Sequence, residues 1–253
     1  MESLSVVIIT LNEEKNIGRC LDSVKDIADE IIVIDSFSTD QTQKICDSYG
    51  ATFIQKEWLG YVETKNFAIQ QSSFNLILSL DADESLTDKL KNSVKLVKDN
   101  RNKDGYILNR LTNYCGQWIY HSGWYPDKKL RLFDKTKGGW HGVDIHEFVK
   151  MGKDTKVGKL DGDLLHYSYY SISQHIRQAF TFSEISANSF YKQGKKVGLA
   201  TVLLAPVFRF FRDYILKLGM LDGYYGFVIC KISAHATFLK YVMLRDLWKK
   251  HNA

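Results

Sequence analysis

Four short apolar runs alternate with stretches of helical period in the first hundred residues, and this rhythm fixes the fold more tightly than any other feature. The runs lie at residues 5–10, 30–35, 51–55 and 75–80. Runs this short and this apolar read as strands covered on both faces. After the first, Asn12-Glu13-Glu14 caps a helix whose Ile17, Cys20, Leu21 and Val24 fall on one face. After the second, a polar turn at 36–40 leads into a helix with Ile45, Cys46 and Tyr49 inward and Gly50 as its stop. A helix over about 62–71 precedes the fourth run, and another follows it with Leu86, Leu90, Val94 and Val97 inward. Such alternation requires right-handed crossovers and a mostly parallel sheet. Ligands of these sheets gather at the carboxyl ends of the strands, where Thr10, Asp35 and Asp81 stand.

The fourth run ends in Leu80-Asp81-Ala82-Asp83-Glu84, three carboxylates within four positions. If the chain stays extended there, alternation sends Asp81 and Asp83 to one side. Two converging anions call for a cation, and a hard divalent metal, magnesium or manganese, is the natural one, with a substrate phosphate completing its shell.

After residue 100 the rhythm changes. Shorter strands are expected at 105–110, 113–119, 129–133, 144–149 and 163–167, in a partly antiparallel arrangement. From about Ser171 the chain is expected to be helical, with breaks near Gly194, Pro206 and residues 219–226.

The net charge of +5 is unevenly placed. From Lys195 onward ten Lys or Arg face three Asp, a surplus of seven, so residues 1–194 carry a balance of −2. A mildly acidic body with a basic, apolar tail argues against a nucleic-acid binder, whose positive charge lines the recognition face. It suits a tail that meets an anionic membrane surface, or that packs against the core or a second copy of the chain. The run at 197–208 is too short to span a bilayer, and Lys231, His235 and Lys240 interrupt the longer one at 223–244. Four scattered cysteines without a Cys-x-x-Cys pair, and an opening strand in place of a secretory signal, suit the cytoplasm.

The motifs at 5–14, Ile32–Thr42 and Leu80–Glu84, taken in order, resemble the family-2 glycosyltransferases. Residues 123–133 and 142–147, and Gly219-Met220-Leu221-Asp222-Gly223 in the tail, are similar to the branch of lipopolysaccharide-core β-1,4-glucosyltransferases. The resemblance implies an α/β fold of GT-A type: a Rossmann-like, mostly parallel mixed sheet flanked by helices, with a C-terminal helical extension. It places the glycosyltransferase domain at about 1–170, nucleotide-binding to about 100 and acceptor-binding beyond, and the amphipathic helical region at 171–253.

The resemblance further implies inverting transfer of a hexose, glucose from UDP-glucose, to a lipid-linked saccharide at the inner face of the cell membrane. In that reading Thr10 and Glu13 lie beside the nucleotide and Asp35 accepts a hydrogen bond from the base. Asp83 holds the metal, and Asp81 holds the ribose or the metal's outer shell. The chain departs from the family's usual turn at Phe37, where glycine is the rule, and this bears on the shape of the base pocket. Glu147 is the candidate general base, with Asp144 and His146 behind it. Arg131 either reaches the diphosphate or serves as a structural ion-pair partner. Lys65 either lies near the donor or is an exposed helix lysine, and His166 either completes the metal shell or is structural. Among Trp118, Tyr120, Trp124, Tyr125 and Trp140, one or two rings can stack on an acceptor sugar while the rest pack the core.

The chemistry is consistent on its own terms: departure of a diphosphate develops negative charge for a metal to meet, and the incoming hydroxyl must lose a proton. A polyprenyl-phosphate acceptor, already anionic, needs no base and is the nearest alternative. A nucleotidyltransferase is less consistent, because residues 11–16 hold no glycine. A non-catalytic scaffold retaining the fold is the remaining alternative.

Overall fold

The computed structural model describes residues 1–142 and 147–251. The chain forms two compact units. A sheet unit comprises Met1–Leu111 and Asp127–Tyr167, and a helical unit comprises Thr112–Pro126 and Ser168–Ala253. Compactness thus groups the excursion at Thr112–Pro126 with the C-terminal helices, although it is embedded in the sequence of the sheet.

The sheet unit opens as the alternation predicts: β1 (Leu4–Thr10), α1 (Ile17–Val24), β2 (Glu30–Asp35), α2 (Thr42–Ser48), β3 (Thr52–Gln55), α3 (Tyr61–Gln71) and β4 (Leu76–Asp81). Strands β3, β2, β1 and β4 run parallel in that order. Alternation along β1 explains the two core layers. Leu4, Val6 and Ile8 meet Ile17, Cys20, Leu21 and Val24 of α1 on one face. On the other face Val7 and Ile9 meet Ala68 and Ile69 of α3. Each such buried aliphatic side chain stabilises the fold by roughly 1.5–3 kcal/mol. The parallel register sets Thr10 opposite Asp35 and Ile9 opposite Asp81, so the strand-end residues share one level.

Beyond β4 the chain departs from expectation. It does not stay extended through the acidic run: it turns at Ala82–Asp83 and re-enters the sheet as β5 (Glu84–Leu86). Leu86 therefore belongs to a strand, and α4 (Asp88–Asp99) starts after Thr87, whose hydroxyl accepts the N–H of Leu90. The remaining strands are β6 (Gly105–Tyr114), β7 (Gln117–Ile119), β8 (Asp127–Asp134), β9 (Gly138–His141), β10 (Phe148–Met151) and β11 (Val157–Tyr169). The single strand expected at 113–119 is the end of β6, a turn at Cys115–Gly116, and β7 paired back on it. Strands β8, β6, β11 and β5 extend the sheet from β4, with β8 antiparallel to β4 and to β6 and β5 antiparallel to β11. The result is the mixed sheet flanked by helices that the GT-A resemblance implied.

In the helical unit α5 (Ile172–Lys192) begins at a reciprocal cap between Ser171 and Gln174. The next helix, α6 (Leu199–Phe211), runs straight through Pro206, where a break was expected. Proline withholds one N–H, yet the chain remains helical, and the break falls at a π-helical turn, Arg212–Leu216, and at left-handed Leu218. A 3-10 turn, Gly219–Asp222, leads into α7 (Gly223–His251). Gly219–His251 is long and apolar enough to cross a membrane by length and composition. Helix α6 is unusual in a different way: Val202 is buried, while Leu203, Leu204, Val207, Phe208 and Phe211 are more than half exposed.

Candidate active site

The acidic run builds a ladder of ions rather than a bare metal cage. Seven side chains of alternating sign connect in the order Glu147, Lys65, Asp81, Arg131, Glu84, Arg110, Asp127. The successive separations are 3.2, 2.9, 2.9, 2.9, 3.2 and 2.7 Å. Lys65 is only 1% exposed, so it is no surface helix lysine, and Arg131 is buried with it. Both cations sit over the ring of Trp140, at 4.3 and 5.0 Å from its centroid, and Trp140 donates from its indole to Ser79.

Burial alone would push the Asp81 carboxyl up, but Lys65 and then Arg131 outweigh it and hold it well below the usual carboxylate range. For Arg131 burial works against the charge, and Glu84 with Asp81 more than offsets it. Glu84 is the hub: it accepts from Arg131 and Arg110, and its second oxygen accepts the backbone N–H of Asp81. That last bond folds Glu84 back onto the end of β4 and accounts for the turn that separates Asp81 from Asp83.

The two aspartates consequently have different partners. Asp83 lies 3.2 Å from His166 Nε2, and its backbone carbonyl accepts from Tyr167. His166 Nδ1 is buried without a hydrogen-bond partner. Among the described residues, no three His, Cys, Asp or Glu side chains come together closely enough to hold a metal alone. Glu13 adds to the charge here: burial first, then Asp83 and Asp40, push its carboxyl up, against a hydrogen bond from Asn16.

The carboxyl end of β1 and β2, where the resemblance places the nucleotide, carries two interlocked turns. The Asn12 backbone donates to Ser38 Oγ, Thr39 N–H donates to Asn12 Oδ1, and Glu13 N–H donates to Thr42. Asp35, which the resemblance assigns to the base, is fully buried, and both its oxygens are taken up by Ser38, with Gln55 donating to one of them. Phe37 holds a φ of 63°, the left-handed conformation that glycine adopts without strain. The turn therefore keeps a glycine-like backbone although the residue has changed. Thr10 is buried at the end of β1, and its hydroxyl has no hydrogen-bond partner.

Glu147 is described and joins the ladder through Lys65. Asp144 and His146 lie outside the described residues. The aromatic group divides: Trp140 belongs to the ladder, Trp124 packs against Tyr114, Tyr169 and His175 in the helical unit, and Tyr120 pairs with Tyr125. Sequence reasoning missed Glu84, Arg110 and Asp127 as members of the site. Glu84 stood in the acidic run in plain view. Arg110 and Asp127 are 17 residues apart and meet only through the antiparallel register of β6 and β8.

Residues 5–154, more than half of the 253-residue chain, match the glycosyl transferase family 2 profile. The chain belongs to glycosyl transferase family 2. This family-2 glycosyltransferase is 34% identical to an uncharacterized glycosyltransferase of Rickettsia typhi, over 98% of this chain and 88% of that one. It is 29% identical to the lipopolysaccharide core biosynthesis glycosyltransferase LpsC of Rhizobium meliloti, over 93% of this chain and 89% of that one. Among solved structures, S. aureus TarS matches with a TM-score of 0.48 at 16% identity, over 86% of this chain and 45% of that one.

Proposed function

We propose that this glycosyltransferase transfers a hexose, glucose from UDP-glucose, with inversion, onto a lipid-linked saccharide of the lipopolysaccharide-core type. One observation carries the reading. The carboxyl ends of β1, β2 and β4 are level, and the acidic run beside them presents a partly buried Asp83–His166 pair, 23% and 15% exposed, and a tethered carboxylate, Glu147. The likeness to LpsC supports the acceptor class.

A divalent cation, manganese or magnesium, fits Asp83 and His166. A carboxylate oxygen and an imidazole nitrogen 3.2 Å apart make half a site, and the oxygens of a diphosphate supply the rest. Asp81, committed to Lys65 and Arg131, fits the ribose or the outer shell better than direct ligation. When bound, the cation neutralises charge that develops on the departing diphosphate. Glu147 takes the proton of the acceptor hydroxyl as its oxygen bonds to the anomeric carbon and the bond to the diphosphate breaks on the opposite face. Lys65 holds Glu147 in place, and Arg131 holds Asp81. Thr10, Glu13 and the Asn12–Ser38 clasp line the nucleotide end, with Asp35 bracing the turn.

The exposed apolar side of α6 supports work at a membrane surface, on the cytoplasmic leaflet. Both carboxylates in residues 195–222, Asp213 and Asp222, are buried, so the charge that segment offers to solvent is positive. The test is a donor panel: purified protein with manganese and a set of UDP- and GDP-sugars, reading nucleotide release and sugar transfer to lipopolysaccharide core. Transfer from UDP-glucose is expected. Release from no donor, or transfer of full rate by Glu147→Gln to a polyprenyl phosphate, overturns the reading.

A further inference from the structure

In the helical unit a cavity of about 400 Å³ is lined by Tyr120, His121, Tyr125, Leu216, Lys217 and Leu218. Three features mark it as a built site. Its first wall is the loop after β7, and a buried carboxylate holds that loop rigid. Asp222, only 4% exposed, accepts from the backbone N–H groups of Tyr120 and His121, from His121 Nδ1 and from Ser122 Oγ. Four donors on one buried carboxylate fix a surface loop far more firmly than turn propensity does.

The second wall is locked to the first. Ser122 N–H donates to the Lys217 carbonyl, and the residues on either side of this joint, Ser122 at φ 59° and Leu218 at φ 55°, are both left-handed without being glycine. Such conformations cost of order 1–3 kcal/mol each and cluster where a ligand is clamped. Gly123, at φ 74°, is where the Lys217 side chain crosses: a Cβ there would stand 2.6 Å from the lysine Nζ. A side chain at that position would push the Lys217 ammonium off the loop.

The chemistry of the lining is specific. Tyr120 is half exposed and sets its ring edge-to-face against Tyr125 at 5.7 Å. Exposed aromatic faces stack on the apolar faces of sugar rings. Lys217 is nearly half exposed and reaches Asp213 only at 3.7 Å, while Arg209 and Arg212 bind that aspartate more closely. The lysine is thus available to an outside anion. His121 gives Nδ1 to Asp222, which leaves Nε2 as its second polar atom. Aromatic faces, an ammonium and an oriented imidazole together select a sugar that carries negative charge. Leu216 and Leu218 line the same cavity, with Leu216 the more exposed.

We propose that this cavity binds an anionic saccharide, a sugar bearing a phosphate or a carboxylate, within the lipid-linked acceptor. The proposal rests on the glycosyltransferase reading for its biological sense, but binding is measurable without transfer. The probes are a deacylated lipopolysaccharide core oligosaccharide with its phosphates, the same oligosaccharide after dephosphorylation, galacturonic acid oligomers, and maltotriose as the neutral control. Titration calorimetry and saturation-transfer NMR on the full chain, without donor, should show binding of one or both anionic probes and none of maltotriose. Retained affinity after dephosphorylation assigns a carboxylate, and lost affinity a phosphate.

Lys217→Met and Tyr120→Ala should each weaken the anionic probe about tenfold, the effect of one charge-assisted hydrogen bond or one stacked ring. Lys217→Arg and Tyr120→Phe should retain it, and circular dichroism checks that all four variants fold. Equal binding of neutral and anionic probes, no binding of any probe by the wild type, or unchanged affinity in both disruptive variants overturns the proposal. If the saccharide binds but no nucleotide sugar is turned over, the proposed function fails and this inference stands. If transfer proceeds and the variants match the wild type, the reverse holds.

Discussion

The buried carboxylates of the ladder and the one that anchors the loop after β7 are held in different ways. The contrast is between two arrangements and is not a rule for each unit, since Asp213 of the helical unit is met by Arg209 and Arg212 and Asp35 of the sheet unit by Ser38. In the sheet unit Asp81 and Glu84 are met side chain to side chain, by Lys65, Arg131 and Arg110. In the helical unit Asp222 is met by two backbone N–H groups, an imidazole and a hydroxyl. A carboxylate answered by cations fixes the positions of charged groups, which suits the proposed diphosphate site. A carboxylate answered by the backbone fixes the shape of a loop, which is what recognition of a neutral ring with one charge needs. The first arrangement fails when one charge is removed, because its neighbours are stranded in a dry interior. The second loses hydrogen bonds but strands no opposite charge.

The sharpest contrast lies in activity. Glu147→Gln should lower turnover about 10²–10⁴-fold, the usual reach of a general base, with the fold intact by circular dichroism. Asp83→Ala should abolish nucleotide release and the manganese-dependent rise in melting temperature, and wild-type turnover in that variant would sink the metal assignment. The first result separates the proposed chemical end of the ladder from its structural middle, and the second tests the Asp83–His166 pair beside it.

Stability comes next. Glu84→Gln leaves Arg131 and Arg110 short of their shared anion and should cost about 3–5 kcal/mol in urea unfolding. Asp222→Asn keeps an oxygen for only one of the two backbone donors, Tyr120 or His121, and should cost about 1–3 kcal/mol for the N–H left unsatisfied. Equal losses would erase the distinction drawn between the two arrangements.

A smaller effect tests the helical core by pH. Burial pushes the His175 imidazole down from 6.5 to about 4, so it stays neutral and shares a hydrogen bond of 3.0 Å between Nδ1 and the Tyr114 hydroxyl. The unfolded chain takes up this proton first as pH falls. The stability His175 protects is therefore complete above about pH 6.5 and lost between there and pH 4, by up to about 3 kcal/mol. His175→Gln should flatten that part of the pH profile, and an unchanged slope would refute the assignment. Smallest is Phe37→Gly: relief of the left-handed φ at an exposed side chain should stabilise the protein by up to about 1 kcal/mol, after the entropy glycine gives the unfolded chain. A loss of stability would show that the Phe37 ring contributes more than its backbone costs.

The parallel half of the sheet was legible because its signals are local. Apolar runs of five or six residues, helical periods between them and polar turns all act within a window the sequence displays, and strand ends follow from them. The acidic run was equally visible, and the family resemblance offered His166 as a partner for Asp83 beside a purely structural role.

The reversal of the chain at Ala82–Asp83 was not legible. It depends on Glu84 reaching back to the Asp81 backbone and on β5 finding β11 almost 80 residues later. The depth of Lys65 was hidden for the same reason. Helix α3 has little apolar asymmetry at that position, and only the approach of Asp81, Glu147 and Trp140 makes a buried ammonium stable.

By itself, then, the sequence determined which segments become strands and helices and which acids reach the sheet's edge, since local sterics and burial decide both. Tertiary structure alone decided which charges pair and which loop Asp222 would cage. Electrostatic partners and hydrogen-bond donors are chosen by distance in space, and distance along the chain carries almost no information about it.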